Sequence, residues 1–266
     1  MATSRIVVVT GGASGIGRAA AQRFGADGDQ VIVADRNEAG AAAIADSIVE
    51  AGGKARAIAI DVADEKSVGR AAEDVTATDG PPDVLVNSAG LLQDPVTSQA
   101  LDMAEHDAIW QVNYRGTYVC CRAFGRIMAD RGTGAIVNLA SVNSYSVLPL
   151  PAYTPGKAAI KSLTELLAVE YGAHGVRVNA VAPGYTLTEN LAARVEAGQR
   201  DARAMRTSTA LNQMVMPEDV AGAIAFLCSS DALRITGVTL PIDAGWLPAV
   251  SYQSYATPVR TTARPT

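Results

Sequence analysis

Apolar positions along the chain fall into short β-branched runs separated by longer, alanine-rich segments. The runs typical of buried strands lie at 6–9, 30–34, 55–60, 84–86, 134–139, 177–181 and 239–241. Between them, segments such as 16–27, 39–51 and 67–76 carry apolar residues at helical spacing. Because buried strands that alternate with helices form βαβ units, this order predicts a doubly wound α/β fold. We expect a parallel sheet of about seven strands with helices on both faces.

No internal repeat or linker interrupts this pattern, so we expect one domain over residues 1–266. Two segments depart from the pattern. Residues 186–215 are polar and interrupted by glycine, between a predicted strand and a predicted helix. Residues 246–266 show no apolar periodicity and contain Trp246, Tyr252 and Tyr255. This tail either borders a pocket of this or a neighbouring subunit or is an ordinary disordered terminus.

Composition and charge narrow the classes of function. Hydrophobic residues make up 48% of the chain, which suits a large close-packed core and argues against disorder. The net charge of −5 offers no basic surface for nucleic acid, and no apolar stretch approaches the roughly 18 residues of a membrane span. The three cysteines and two histidines lack metal-binding spacing, so we expect no metal site. With no signal-peptide pattern at the start, we predict a reduced, cytoplasmic protein.

The first predicted strand runs into a glycine-rich turn, T-G-G-A-S-G-I-G, at 10–17. Gly11, Gly15 and Gly17 allow a tight turn, a close approach of the backbone to a pyrophosphate, and packing of the next helix on the strand. The N-terminus of that helix offers free N–H groups to the phosphates. Plain turn chemistry is the alternative, but the position at the first strand–helix junction favours a dinucleotide site.

Asp35 ends the second predicted strand, 18 residues beyond Gly17, near the spacing at which an acid meets the adenosine ribose. Its carboxylate can accept hydrogen bonds from both ribose hydroxyls and would repel a 2′-phosphate. We therefore predict NAD rather than NADP as the cofactor. Arg36 follows directly and is able to pair with such a phosphate, which keeps NADP as the alternative.

Two further strand ends complete the predicted cofactor cleft. Asp61, after the third strand, suits a hydrogen bond to an adenine amino group, although an aspartate there is also a common helix N-cap. The fourth strand ends in N-S-A-G, from Asn87 to Gly90. Small residues at this point leave room for a cofactor to lie across the strand ends.

These motifs, with Asn113, Ser141, Tyr153-x-x-x-Lys157 and P-G-Y-T-L-T at 183–188, stand in an order that resembles the short-chain dehydrogenase/reductase family. The resemblance runs from about residue 5 to 245 and rests on the motifs jointly, because Tyr-x-x-x-Lys alone arises by chance in helices. It implies a Rossmann fold and hydride transfer with a nicotinamide cofactor. It also implies a homotetramer, or a dimer, paired through helices near 103–131 and 153–172.

Oxidation of an alcohol requires a base, and the resemblance implies this role for Tyr153. The ammonium of Lys157, one helical turn away, together with the charge of an oxidised nicotinamide, favours the phenolate of a group whose ordinary pKa is about 10. Ser141 is expected to hydrogen-bond the substrate oxygen. By resemblance, Asn113 holds a water that links Lys157 to solvent. A turn serine, a surface amide and a packing aromatic are the structural alternatives.

Pro155 and Gly156 lie between Tyr153 and Lys157, although both residue types are poor helix formers. The first four N–H groups of a helix have no intrahelical acceptor, so a proline there loses no hydrogen bond. We therefore expect this helix to begin near residue 152 or 153. For Gly156 we conjecture that the backbone packs closely against the nicotinamide or a subunit interface, where no side chain would fit.

The motifs and the resemblance together give the full set of candidate site residues. For the cofactor they are Gly11, Ser14, Gly15, Ile16, Gly17, Asp35, Arg36, Asp61, Val62, Asn87, Ala89, Gly90, Tyr153, Lys157, Pro183, Gly184, Thr186 and Thr188. For the substrate they are Ser141, Asn143, Tyr153 and Tyr185. Residues 186–215 correspond to the family's substrate lid. Its arginines at 194, 200, 203 and 206 are interpreted as a solvated helix face, with contact to an anionic substrate as the alternative.

Three functions fit this sequence. The preferred one is an NAD-dependent alcohol dehydrogenase acting on a small polyol, sugar or hydroxylated ring, because Asp35 favours NAD and several stretches resemble sugar-alcohol members of the family. The second is an NADPH-dependent carbonyl reductase, such as a 3-oxoacyl-carrier-protein reductase. The third is a non-catalytic nucleotide sensor, which would be expected to lack one of Ser141, Tyr153 or Lys157, whereas all three are present.

Overall fold

The computed structural model describes residues 4–254, and within them one sheet holds seven parallel strands in the order β3-β2-β1-β4-β5-β6-β7. The strands are β1 Ile6–Thr10, β2 Gln30–Asp35, β3 Lys54–Ala59, β4 Val84–Asn87, β5 Gly134–Leu139, β6 Val176–Pro183 and β7 Thr239–Ile242. Each lies within about two residues of a predicted run, because continuous β-branched sequence suits a strand buried on both faces. The predicted doubly wound parallel sheet is confirmed.

Helices connect the strands and cover both faces of the sheet. They are α1 Gly15–Ala26, α2 Glu38–Glu50, α3 Glu65–Thr78, α4 Met103–Trp110, α5 Thr117–Arg131, α6 Tyr153–Gly172, α7 Glu189–Glu196, α8 Ala202–Thr207, α9 Pro217–Leu227 and α10 Trp246–Gln253. A π-helical segment, Gln111–Gly116, joins α4 to α5 within the region predicted as continuous helix. In residues 4–254, none of these helices combines the length and apolarity that a membrane span requires.

Alternate residues of β1 point to two separate apolar layers. Val7 and Val9 pack with α1, α2 and α9, whereas Val8 packs with α3, α5 and α6. All three valines are fully buried. Burial of a valine side chain stabilises the fold by about 1.5–3 kcal/mol, so this strand anchors both layers.

The order of the strands reverses between β1 and β4, which makes this the switch point of the sheet. At a switch point the connections leave in opposite directions and open a crevice beyond the carboxyl ends of the strands. The glycine-rich turn follows β1 and the N-S-A-G stretch follows β4. The fold therefore brings these two motifs to the same edge of the sheet.

The segment 186–215 contains two short helices, α7 and α8, whose bounds its polar sequence does not indicate. Each has a capping side chain: Thr188 accepts a hydrogen bond from the Leu191 N–H, and Asp201 accepts bonds from the N–H groups of Arg203 and Ala204. Such caps satisfy backbone donors that would otherwise lack partners, so short polar helices become stable.

The tail also differs from its prediction as an irregular segment, because α10 covers Trp246–Gln253. Its start is fixed by Asp243, whose carboxylate accepts hydrogen bonds from the N–H groups of Gly245 and Leu247. Trp246 is buried and packs edge-on against Tyr185, with ring centroids 6.0 Å apart, whereas Tyr252 is exposed. Tyr255 lies outside the described residues.

Helix α6 begins at Tyr153, as predicted, with Pro155 as its third residue. The proline thus falls in the first turn, where it loses no intrahelical bond. A Cβ atom built on Gly156 would meet no other atom within 4 Å. Packing within residues 4–254 therefore does not explain why glycine stands at this position.

Candidate active site

A cavity of about 960 Å³ lies beyond the carboxyl ends of the strands at the switch point. Most of the candidate site residues line it: Gly11, Ser14, Gly15, Ile16, Asp35, Arg36, Asp61, Val62, Ala89, Gly90, Ser141, Tyr153, Lys157, Pro183, Gly184, Tyr185, Thr186 and Thr188. Residues that are far apart in the chain thus share one cavity, because parallel strands deliver their carboxyl ends to one edge of the sheet.

Four candidates do not line this cavity: Gly17, Asn87, Asn113 and Asn143. The Asn87 amide is buried behind the cavity and donates hydrogen bonds to the sulfur of Cys121 and to Oδ1 of Asn138. Asn143 is buried as well and donates to the hydroxyl of Thr154 at 3.2 Å. These two amides are held by interior partners, so the structure places them behind the cavity and not on its wall.

Asn113 holds the loop after β4. It lies in the π-helical segment, where its Oδ1 accepts from the Leu91 N–H at 2.7 Å and its Nδ2 donates to the Leu91 carbonyl at 2.9 Å. A π-helical turn inside a longer helix is often found at a functional site. These contacts show that Asn113 holds Leu91, a residue that lines the cavity, in place. This structural role is additional to the water-binding role that the family resemblance implies for Asn113.

The glycine-rich turn is packed too tightly for side chains. A Cβ on Gly11 would lie 2.7 Å from the Ala89 backbone, and a Cβ on Gly17 would lie 2.1 Å from the Gly11 carbonyl oxygen. Gly11 and Gly15 also have φ angles of +67° and +53°, which favour glycine. The turn therefore leaves bare backbone facing the cavity, which fits the pyrophosphate of a dinucleotide.

A carboxylate from the segment 186–215 contacts this turn. Oε2 of Glu189 accepts a hydrogen bond from the Gly15 N–H at 3.1 Å, and its other oxygen pairs with Arg18. Gly15 is the first residue of α1, so Glu189 meets the positive end of the helix. The sequence motifs do not identify Glu189 as a site residue. The sequence feature that marks it is an acidic side chain in the first turn of α7.

Asp35 stands against the same turn at the end of β2. Its carboxylate accepts hydrogen bonds from the Ala13 N–H at 3.1 Å and from the Asn37 N–H at 2.9 Å. Arg36 is exposed beside the cavity and forms no ion pair with an acidic side chain of residues 4–254. This end of the cavity thus carries an oriented carboxylate and a guanidinium side by side.

Ser141, Tyr153 and Lys157 meet on another wall of the cavity. Burial raises the pKa of Tyr153 to about 12, while a hydrogen bond with Ser141 acts in the opposite direction. The Lys157 ammonium lies 5.3 Å from the centre of the Tyr153 ring and donates to the Leu139 carbonyl at 2.6 Å. Burial lowers the pKa of Lys157 to about 8, so its charge is retained at neutral pH beside the phenol.

Gln93 is a residue of the site that no sequence motif identifies. Its side-chain oxygen accepts hydrogen bonds from the N–H groups of Ala152 at 3.1 Å and Tyr153 at 3.0 Å. Gln93 is buried, lines the cavity, and caps the first turn of α6 from a distant loop. It therefore fixes the start of the helix that carries both Tyr153 and Lys157.

We predict that Gln93→Leu lowers the free energy of unfolding by about 1–3 kcal/mol, because two buried N–H groups lose their acceptor. It should also lower kcat several-fold with little change in KM, since Tyr153 loses its support. Gln93→Glu keeps the acceptor oxygen at the helix N-terminus, so it should restore part of the lost free energy of unfolding. Urea unfolding and steady-state kinetics on both variants test this, and an unchanged kcat in the leucine variant would show that the cap does not position Tyr153.

Two arginines of the segment 186–215 also line the cavity, although all four arginines of that segment are interpreted from the sequence as a solvated helix face. Arg194 and Arg200 line the cavity and both donate to Oδ1 of Asp94, at 3.0 Å for Arg200. Arg203 and Arg206 are exposed, as that interpretation predicts. Helical periodicity does not distinguish the two pairs, because the partner Asp94 comes from the loop after β4.

Comparison with known proteins agrees with this arrangement. The model of the family described as Enoyl-(Acyl carrier protein) reductase matches residues 11–247. The D-threitol dehydrogenase of Mycolicibacterium smegmatis is 37% identical over 243 residues, which cover 91% of this chain and 92% of that protein. The chain is thus similar over nearly its whole length to an enzyme named for a sugar alcohol.

Two solved structures are similar over nearly the whole chain. One, described as ribose-5-phosphate isomerase from Brucella melitensis 16M, has a TM-score of 0.91 and 45% identity, and covers 97% of this chain and 98% of that one. The other, a candidate NAD(P)-dependent gluconate 5-dehydrogenase from Beutenbergia cavernae with NADP bound at low occupancy, has a TM-score of 0.85 and 36% identity, and covers 93% and 98%. Both comparisons support the doubly wound α/β fold of this chain.

Proposed function

Because the chain belongs to the short-chain dehydrogenase/reductase family, we propose that it is an NAD-dependent dehydrogenase that interconverts a secondary alcohol and a ketone. The proposed substrate class is a small polyol, a sugar or a hydroxylated ring. The observation that carries the proposal is the meeting of Ser141, Tyr153 and Lys157 at a cavity that the glycine-rich turn and Asp35 also line. The sugar-alcohol name of the Mycolicibacterium relative supports the substrate class.

The proposed chemistry assigns a separate task to each of the three side chains. The nicotinamide, when bound, supplies or accepts the hydride. Tyr153 takes the proton from the substrate hydroxyl during oxidation and returns it during reduction. Ser141 hydrogen-bonds the same substrate oxygen and stabilises its developing charge. Lys157 places an ammonium beside the phenol, and a nearby positive charge favours the phenolate.

The residues proposed to hold the dinucleotide fit it in shape and in donor chemistry. The bare turn around Gly11 and Gly15 would take the pyrophosphate, and Asp35 the adenosine ribose. Asp61 and Val62 would border the adenine, while Thr186 and Thr188 would face the carboxamide and phosphates. The remaining cofactor candidates that line the cavity would complete the dinucleotide-binding surface: Ser14, Ile16, Ala89, Gly90, Pro183 and Gly184.

An NADPH-dependent carbonyl reductase is the alternative function. It is supported by Arg36 beside the cavity, by the reductase description of the matching family model, and by the NADP in the Beutenbergia structure. An adenosine 2′-phosphate would place its charge near Arg36 but also near Asp35. We favour NAD because the Asp35 carboxylate is already oriented by two backbone N–H groups.

We predict that Asp35→Asn raises the ratio of kcat/KM for NADP to that for NAD by about ten- to a hundredfold. The reason is that like charges near a protein surface repel each other by a few kcal/mol, and Arg36 remains to attract the phosphate. Asp61→Asn is the matched control, since an adenine contact is common to both cofactors and its loss leaves the ratio unchanged. An unaltered ratio in Asp35→Asn would refute the role of Asp35 in cofactor choice.

The proposed function is tested by following absorbance of the reduced cofactor with polyols, aldoses and cyclic alcohols, with NAD and NADP in parallel. Oxidation of a polyol with NAD supports the proposal, whereas turnover with NADP alone supports the reductase. Ketone and thioester substrates with NADH and NADPH form the reverse assay. Isomerisation of ribose 5-phosphate is measured as well, because of the name of the Brucella structure. Isomerisation without any oxidation would contradict the proposal.

We also propose one dinucleotide-binding domain over the whole chain, with 186–215 as its lid, assembled as a homotetramer or a dimer. The exposed apolar side chains of Tyr118 on α5 and of Leu166 and Val169 on α6 support pairing through these helices. Three buried unpaired thiols suit a reducing, cytoplasmic compartment. Sedimentation at several concentrations measures the assembly.

A further inference from the structure

Three charged side chains form a cluster at the border between the lid and the cavity. Arg194 comes from α7, Arg200 from the turn before α8, and Asp94 from the loop after β4. Both guanidinium groups donate to one oxygen of Asp94, although the three residues belong to two distant parts of the chain. The cluster is therefore a product of the fold and not of local sequence.

The charges of this cluster do not balance. Two guanidinium groups share one carboxylate, and within residues 4–254 neither arginine has a second acidic partner within 4 Å. The side chains of Arg194 and Arg200 are 23% and 25% exposed, whereas Asp94 is 69% exposed. The two guanidinium groups are thus mostly buried at the cavity, whereas the carboxylate of Asp94 that they share is mostly exposed to solvent. One unit of positive charge remains available to a molecule in the cavity.

The cluster lies on the side of the cavity that holds the proposed catalytic residues. Asp94 directly follows Gln93, whose side chain bonds the Tyr153 N–H. Arg200 is near enough to Tyr185 to oppose the rise in the pKa of its phenol, which burial causes. By contrast, the glycine-rich turn is contacted by Glu189, at the opposite end of α7 from Arg194. The arginines are therefore placed toward the substrate and away from the proposed pyrophosphate site.

We propose that Arg194 and Arg200 form a subsite for a terminal oxyanion of the substrate, either a carboxylate or a phosphate monoester. This rests on the proposed dehydrogenase function and narrows its substrate class to acidic or phosphorylated polyols. Guanidinium groups match such oxyanions because their N–H donors are planar and form charge-assisted hydrogen bonds. Asp94 would then act as the competing internal anion, which the substrate oxyanion displaces from the pair.

The test compares three six-carbon compounds that differ at one end: D-sorbitol, D-gluconate and D-sorbitol 6-phosphate. Oxidation by the wild-type enzyme with NAD and NADP is measured, together with calorimetric binding of each compound to the protein loaded with NADH. We expect one of the two anionic compounds to exceed sorbitol at least about tenfold in kcat/KM and in affinity. The preferred anion distinguishes a carboxylate site from a phosphate site.

Variants separate an anion site from a merely structural cluster. The double variant Arg194→Gln/Arg200→Gln should lower affinity for the anionic compound, relative to affinity for sorbitol, by about ten- to a hundredfold, mainly through KM. Asp94→Asn should act in the opposite direction and tighten anion binding. If the cluster only fastened the lid, both changes would weaken all three compounds alike, and that result would overturn the proposal. Arg203→Gln, an exposed arginine away from the cavity, is the control.

The experiment also distinguishes failure of this inference from failure of the proposed function. Oxidation of sorbitol, gluconate and sorbitol 6-phosphate at equal rates, unaffected by the double variant, would overturn the oxyanion subsite and leave the dehydrogenase intact. Arginine-dependent binding of an anionic compound without oxidation of any alcohol would support the subsite and contradict the dehydrogenase. Absence of binding by both anionic compounds would overturn the subsite.

Discussion

Replacement of Tyr153 by phenylalanine should reduce kcat for alcohol oxidation by about a thousandfold or more. The substitution removes the hydroxyl that exchanges a proton with the substrate, and proton transfer by a placed side chain contributes about 10²- to 10⁴-fold to a rate. The aromatic ring remains beside Lys157, so the wall of the cavity keeps its shape. Steady-state kinetics with the best substrate, in both directions of the reaction, measures the loss.

Tyr145→Phe provides a matched control from the loop that follows Ser141. Tyr145 does not line the cavity, and its hydroxyl donates to the Thr239 carbonyl at 2.7 Å. Its loss should cost about 1 kcal/mol of stability and leave kcat within a factor of two or so. The dissociation constant of NADH should be nearly unchanged in both variants. If Tyr153→Phe retained a tenth of the wild-type kcat, Tyr153 would not be the proton carrier.

Gly17→Ala should both destabilise the fold and remove cofactor binding. A Cβ atom at this position would lie 2.1 Å from the Gly11 carbonyl oxygen and 2.8 Å from the Gly11 carbonyl carbon, and backbone atoms do not move aside as a side chain does. Relief of the clash requires α1 to shift away from the turn. Overpacking of this kind typically costs about 1–3 kcal/mol, and loss of the turn should weaken NADH binding by about a hundredfold.

The same substitution at Gly156 has the opposite expected sign. Alanine there meets no neighbouring atom within 4 Å and replaces a glycine inside a helix, so it should raise the free energy of unfolding by about 0.5–1 kcal/mol. Chemical unfolding and fluorescence titration with NADH are measured on both variants. Wild-type stability and NADH affinity in Gly17→Ala would contradict the tight packing described for the turn.

The sheet and most of the cavity could be predicted because their signals are local. Continuous β-branched runs mark the strands, and short motifs at the strand ends mark the residues that the parallel sheet gathers. The start of α6 at Tyr153 could also be predicted, because proline is compatible only with its first turn. These features depend on residues within a few positions of each other.

The remaining features depend on pairs that are distant in sequence. Gln93 caps α6 from a loop 60 positions earlier, and Arg194 meets Asp94 across 100 positions. No periodicity encodes either contact. The motifs and the resemblance predict Asn143 as a substrate residue, yet Thr154 provides an interior partner for its amide. The bounds of the short helices at 186–215, and the helix α10 in the tail, depend on single capping side chains, which are a weaker signal than apolar repetition.

The carboxylate of Glu189 and a dinucleotide phosphate would compete for the same N–H group of Gly15. Glu189 begins α7, and Arg194 lies on the same helix near the other end of the cavity. A cofactor that displaces Glu189 would therefore also release the helix that carries an arginine toward the substrate. We expect the two ligands to bind in a compulsory sequence, with the dinucleotide first and the substrate second. The lid would in this way couple binding of the dinucleotide at Gly15 to binding of the substrate near Arg194.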